Sequence, residues 1–271
     1  MTTNSRPAFN FAQTPIYGFW RDLFKGSHML TRNALLLLLG FAACLAAPLV
    51  DPQMFNGIDA WHKPAKFFFS LGVQLATVAW ALSLVDDTQK RSRAVRWSIT
   101  AMITAAWLEI VYIVFRAARG EGSHYNTDTP LTQALYGVMG LGALTLTITA
   151  AIIGLVIWRK RNGDLWREAA GLGLVLGAIL ATVVGGVLSS NAGHWIGGDQ
   201  SDATGLPLFY WSTTGGDLRI AHFTGLHAMQ LVPFAALSGR RDVVYGMAVA
   251  ITLVTIALFA QAMMGVPLFR A

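Results

Sequence analysis

Five of the six histidines in this 271-residue chain lie where apolar stretches begin or end, and five basic residues accompany them. His62 precedes one stretch, His124 and His194 follow two others, and His222 opens a further one. His227 lies about 7 Å deeper along that last stretch, at 1.5 Å per helical residue. Lys63, Lys66, Arg116, Arg119 and Arg219 stand at the same stretch ends. Grouped imidazoles ligate Cu, Fe or Zn, and two imidazoles from facing segments supply the axial ligands of haem b. Bases arrayed around a cavity hold anions such as a phosphate, a carboxylate or haem propionates. The expected metal or haem ligands are therefore His222 and His227 with His62, His124 or His194. The five bases are the expected anion or propionate anchors.

Helical spacing sharpens these groupings. Glu109, Tyr112 and Arg116 are three and four residues apart, so they share a helix face. Glu109 is the only acidic residue deep within an apolar stretch, and a buried carboxylate must be paired or protonated. With Tyr112 it is the candidate proton relay. Lys63, Lys66, Ser70 and Gln74 form a similar stripe, as do Thr224, His227 and Gln230. His222 points roughly 140° from His227 at about 100° per residue, so on an undistorted helix the two serve different partners. The same residues also fit blander roles: histidines at a membrane interface, and polar side chains that hold helices together.

Other chemistries fail on spacing. There is no phosphate-cradling glycine loop, nucleophile elbow or HExxH helix. RIAHFTGLH and NAGHW share residue types with the motifs of membrane lipid phosphatases. Arg219 stands at the wrong distance from His222 and His227, the expected Asp is missing, and Ala192 replaces the serine. The long-spaced histidine pairs of ferric reductase-like domains are absent.

The elements that must position these side chains follow from composition. The chain is 54% hydrophobic and only 13% charged, with a mean hydropathy of +0.51, whereas a soluble domain is about a quarter charged. That excludes a disordered chain, a disulfide scaffold and a soluble enzyme. Seven stretches approach the roughly 20 apolar residues needed to cross a bilayer: 32–50, 66–85, 97–117, 133–157, 169–190, 220–238 and 243–264. The expected fold is therefore all-α, a polytopic bundle of about seven transmembrane helices. The single cysteine, Cys44, sits in an apolar run and reads as an inert buried thiol.

The net charge of +6 would raise the question of nucleic acid in a soluble protein. Here 14 of the 20 basic residues fall in blocks on one side of the spans, among them Arg91, Arg93, Arg159, Lys160, Arg240 and Arg241. The positive-inside rule then puts the N-terminus in the cytoplasm and the C-terminus outside. No nucleic acid is expected; the partner is the lipid bilayer. Residues 1–31 form a cytoplasmic segment with an interfacial amphipathic helix over 15–31. A single transmembrane domain covers 32–264. Within it 191–219 reads as an ordered extracytoplasmic cap loop, and 265–271 is a short tail.

WHKPAKFFFSLG, ARGEGSHYN and STTGGDLRIAHFTGLHAMQ together make the chain similar to a group of bacterial multi-helix membrane proteins with no established activity. The resemblance spans about 57–238 and implies a bacterial cytoplasmic (inner) membrane. It assigns no residue a role. The leading functional expectation is a haem- or metal-binding site near the extracytoplasmic face, used in redox chemistry or electron transfer, which would make the protein a membrane oxidoreductase. The alternative is a transporter or receptor for a small anionic solute, with Glu109 carrying a proton. A structural or assembly subunit is the third. A small molecule, a quinone or an anion is the expected ligand.

Overall fold

The computed structural model describes residues 15–191 and 193–270. The elements run α1 (Pro15–Gly26), α2 (His28–Ala46), α3 (His62–Ser83), α4 (Asp87–Lys90), α5 (Arg93–Ala117), α6 (Pro130–Arg159) and α7 (Leu165–Ser190), then α8 (Leu218–Leu226), α9 (Ala228–Ala235) and α10 (Arg241–Met263). The strands are two minimal antiparallel pairs, β1 (Met54–Phe55) with β2 (Ile58–Asp59) and β3 (Trp195–Ile196) with β4 (Gly216–Asp217). The chain is an all-helical bundle.

Among the described residues six helices are long and apolar enough to cross a membrane: α2 with its short extension to Leu49, α3, α5, α6, α7 and α10. The stretch expected as one span over 220–238 is broken instead. α8 and the segment 228–238 meet the same length and composition requirement only together, and they are bent by 43°. The break at His227 lies between Gly225, where α7 crosses closely, and Pro233, which has no N–H to offer the Met229 carbonyl.

Local signals set the helix starts. Ser27 accepts from the Leu30 amide at 3.3 Å, and Asp164 accepts from the Trp166 and Arg167 amides at 2.8 and 3.1 Å. Thr129 caps α6 ahead of Pro130 at its first position. Each cap satisfies amides that no helical carbonyl reaches.

α3 runs through the middle of the bundle. Its second half buries Leu75, Val78 and Leu82 against Met102 and Ala106 of α5, Ile153 of α6 and Leu174 of α7. α1 packs on that end of α3, burying Leu23, and Lys90 donates to the Lys25 carbonyl at 2.9 Å. Cys44 is buried and free. α7 approaches its neighbours through glycines: a β-carbon on Gly154 of α6 would come within 3.0 Å of the Gly171 carbonyl oxygen. One on Gly173 would come within 2.8 Å of the Ala228 carbonyl oxygen, and one on Gly177 within 3.0 Å of the Leu226 carbonyl oxygen. The Gly173–Gly177 spacing thus seats the break between α8 and α9 against α7, the close approach that small residues permit.

Candidate functional site

α3, α6 and α8 begin, and α5 and α7 end, at the same end of the bundle, where the segment 193–217 forms a cap. The packing that fills the opposite half does not continue here. A cavity of about 1590 Å³ opens between α3, α5, α6, α7, α8 and α9. Lys63, Lys66, Glu109, Arg116, Arg119, His124, His194, Arg219, His222 and His227 all line it. Lys63, Lys66, Ser70 and Gln74 form its α3 wall.

Two of the expected site residues lie elsewhere. His62 is turned to the cap, with Nε2 3.1 Å from the Leu208 carbonyl oxygen and its ring edge-on to Tyr210 at 4.6 Å. Tyr112 is off the cavity, and its buried hydroxyl has no hydrogen-bond partner among the described residues. The cavity-facing arc of α5 is Glu109, Ile113, Arg116 and Ala117. At about 100° per residue Tyr112 falls roughly 60° to the far side of Glu109 from Ile113 and Ala117, so shared spacing did not give it a shared surface. No hydrogen bond joins it to Glu109 among the described residues, and the relay expected of the pair has no direct link.

The cap is held by hydrogen bonds from basic side chains. His62, Lys66 and Arg219 engage three consecutive carbonyls, those of Leu208, Phe209 and Tyr210. Lys66 donates to Phe209 at 2.7 Å and its ammonium lies 4.9 Å from the centre of the Tyr210 ring. Leu208 and Tyr210 hold φ of 75° and 55°, a region costly for residues with a side chain, so these contacts fix a strained turn. Arg219 also pairs with Asp217 at 2.7 Å and Asp202 at 3.1 Å. Asp217 in turn caps α8 and accepts from the Ser212 amide at 2.9 Å. Every member of this buried network is matched, which is the condition for such a network to stabilise.

Most of the five expected anion anchors are thus already engaged by protein. Arg116 donates to the Gly122 carbonyl at 3.1 Å and pairs with Glu121 at 2.8 Å, which Arg119 also contacts at 3.2 Å. Only Lys63, of the five, forms neither a hydrogen bond nor an ion pair among the described residues. Glu109 is within its electrostatic reach. The Glu109 carboxyl is buried, with Oε1 unpartnered among the described residues.

The histidines are dispersed. Among the described residues no three His, Cys, Asp or Glu side chains come together as a group able to hold a metal ion. The expected ligand set of His62, His124, His194, His222 and His227 is therefore not assembled, because most already serve local partners. His124 lies 3.1 Å from the Ser123 hydroxyl and against the rings of Phe67 and Tyr136. Burial first, and then the Lys63 charge, holds it well below the ordinary histidine pKa. His194 packs on Trp195 at 3.7 Å between ring centres and faces Asp202 at 3.4 Å. Burial lowers His194 despite that carboxylate. Burial pushes Asp202 upward, yet His194 and Arg219 together outweigh it and hold Asp202 below the ordinary carboxylate range. His194 is thus neutral and Asp202 ionised near neutral pH.

His227 sits at the helix break, and its Nδ1 is 3.1 Å from the Gln230 side-chain oxygen, so it donates there. Gln230 donates to the Thr77 hydroxyl at 2.9 Å, and Gln74 donates to the Leu146 carbonyl at 3.2 Å. His222 rests on Gly185, where a β-carbon would come within 3.1 Å of its ring. Its buried Nδ1 is unpartnered among the described residues. Thr224 bonds back to the Ile220 carbonyl and does not line the cavity.

Asp202 and the carbonyls of 208–210 are the contributors that sequence reasoning missed. Asp202 lies in a loop, where periodicity carries no signal, and backbone carbonyls have no residue type to read. No protein-family model, curated protein or solved structure is found to match the chain.

Proposed function

We propose that this chain is a seven-span protein of the bacterial cytoplasmic membrane, with its N-terminus inside and C-terminus outside, that binds a small anionic molecule as a transporter or receptor. The bent pair α8–α9 serves as the sixth span in that topology. The blocks of basic residues at the end opposite the cap support the orientation, and the resemblance of the three quoted segments supports the bacterial setting. The cavity is then the outer half of the protein, and the packed half beneath it is the barrier toward the cytoplasm.

The observation that carries the reading is Lys63, a basic side chain lining a cavity of about 1590 Å³ with no protein group bonded to it among the described residues. A basic group facing a cavity at the mouth of a span is placed to meet an anion. Glu109 is the acid that moves a proton with the ligand. The test is thermal stabilisation of purified protein in nanodiscs by a panel of carboxylates and phosphates. Stabilisation of the wild type but not of Lys63→Gln supports the reading. No stabilisation, or equal stabilisation of both, overturns it.

A second reading, haem b held between two histidines of the cavity for redox chemistry, is favoured by the unpartnered His222 nitrogen and by neutral His124 on the same cavity. It requires a Soret band that His222→Ala removes, and a colourless preparation that takes up no added haemin excludes it.

A further inference from the structure

We propose that the ligand is a single-chain anionic amphiphile, a long-chain carboxylate in chemical class, with its headgroup at Lys63 and its chain along α6. The inference rests on the anion-binding reading above and specifies its substrate. Length is the first argument. From Lys63 to Gln74 the α3 wall descends 11 residues, about 16 Å at 1.5 Å per residue.

The second argument is where polar groups remain unmatched. Toward the cap His194 Nε2, His222 Nδ1 and the Trp195 indole nitrogen lack partners among the described residues, and Lys63 beside them forms no hydrogen bond or ion pair there. Deeper down Gln74, Thr147 and Gln230 are already bonded to protein, and the one unmatched atom on the cavity wall is Oε1 of Glu109. Most of the unmet hydrogen-bonding capacity therefore lies in the cap half. A headgroup with an apolar tail has that same distribution.

The third is the α6 wall itself. Leu141 and Leu144 border the cavity beside Gly137 and Gly140, and a β-carbon on either glycine would meet nothing within 4 Å. All four are exposed, Leu141 by 65%, so the cavity is open along an apolar stretch of α6, the side that faces acyl chains in the proposed topology.

Those open glycines also supply the test. Wild-type protein in phosphatidylcholine nanodiscs is titrated with cis-parinaric acid, a fluorescent long-chain carboxylate, against empty nanodiscs as background. We expect saturable binding displaced by palmitate but not by hexadecanol, acetate or decylubiquinone. Lys63→Gln should weaken it about tenfold or more, and so should Gly140→Leu, which fills the cavity at a position with room for the side chain. Gly186→Leu is a second filler, since a β-carbon on this cavity-lining glycine also meets nothing within 4 Å. Displacement by hexadecanol or decylubiquinone as effective as by palmitate overturns the proposal, as does unaltered binding in both filled variants. Acetate or inorganic phosphate stabilising the protein through Lys63, with no saturable parinarate binding, overturns the amphiphile while leaving the anion reading standing. If neither class binds, both fail.

Discussion

The carboxyl of Glu109 occupies the space that a β-carbon on Gly142 would need. The two lie at the crossing of α5 and α6, so the one deep acid of the bundle is accommodated by the absence of a side chain on the facing helix. Gly142→Ala should therefore gain less than the roughly 1 kcal/mol that helix propensity offers, because the Glu109 carboxyl must move aside. Adding Glu109→Ala to that variant should restore the gain, because the shorter side chain vacates the contested space. A double variant no more stable than Gly142→Ala alone would show that the contact is not the cause.

Arg219 joins the cap to α8 through Asp202, Asp217 and the Tyr210 carbonyl. Arg219→Gln leaves two buried carboxylates without their cation, and breaking such pairs costs about 3–5 kcal/mol. The loss should be concentrated in the cap. Chymotrypsin, which cuts after aromatic residues, should then cleave at Phe209, Tyr210 or Trp211 much faster than in the wild type while the remaining helices stay protected. Lysine at 219 keeps the charge but not the planar fork, so it should rescue only in part. Equal cleavage rates in wild type and Arg219→Gln would remove the cap-anchoring role.

Acidification should loosen the same end. His124 and His194 both titrate lower in the folded protein than the ordinary value of 6.5. As the pH falls the unfolded chain takes up protons first, so stability is full above 6.5 and declines as the pH drops below it toward the folded values. Asp202, held low as well, adds a further loss only under its ordinary 3.8. The melting temperature should fall between pH 7.5 and 5.5, and more steeply in the wild type than in His124→Phe or His194→Phe. Trp195 fluorescence, through its ring contact with His194, should report the titration locally. A flat profile over that range would contradict neutral burial of both imidazoles.

What was legible in the sequence was whatever hydropathy and residue type encode. Six apolar stretches correspond to long helices, and the meeting of His124 and Lys63 at one cavity follows from their places at helix ends, with Glu109 reaching it from deeper on α5. Three things were not legible. Tyr112 shares spacing with Glu109 but not a surface, because a cavity takes only part of a helix face. Arg219 and Arg116 looked like free anchors because their counter-ions Asp217, Asp202 and Glu121 sit in loops, where no periodicity assigns a partner. The bend at His227 escaped because 220–238 is continuous in hydropathy. Hydropathy measures solvent preference and is blind to a change of helix direction.

Glycine spacing is the signal that sequence reading undervalues here, and it yields a comparison within one protein. Gly173 and Gly177 face the α8–α9 break so closely that an added methyl group would strike the Ala228 and Leu226 carbonyl oxygens. Gly246 of α10 is also helical, but a β-carbon there meets nothing within 4 Å. Alanine favours a helix interior over glycine by about 1 kcal/mol, so Gly246→Ala should raise the melting temperature slightly. Gly173→Ala and Gly177→Ala gain the same propensity, yet must push α9 away from α7 against backbone that cannot yield. Their net effect should be a loss of about 1–3 kcal/mol, with partial exposure of Met229 and Val232, which the contact now buries. Cysteine placed at Val232 and probed with a lipid-soluble maleimide should react faster in the Gly173→Ala background than in Gly246→Ala. The same sign of stability change at all three glycines would mean that propensity, not helix approach, decides their role.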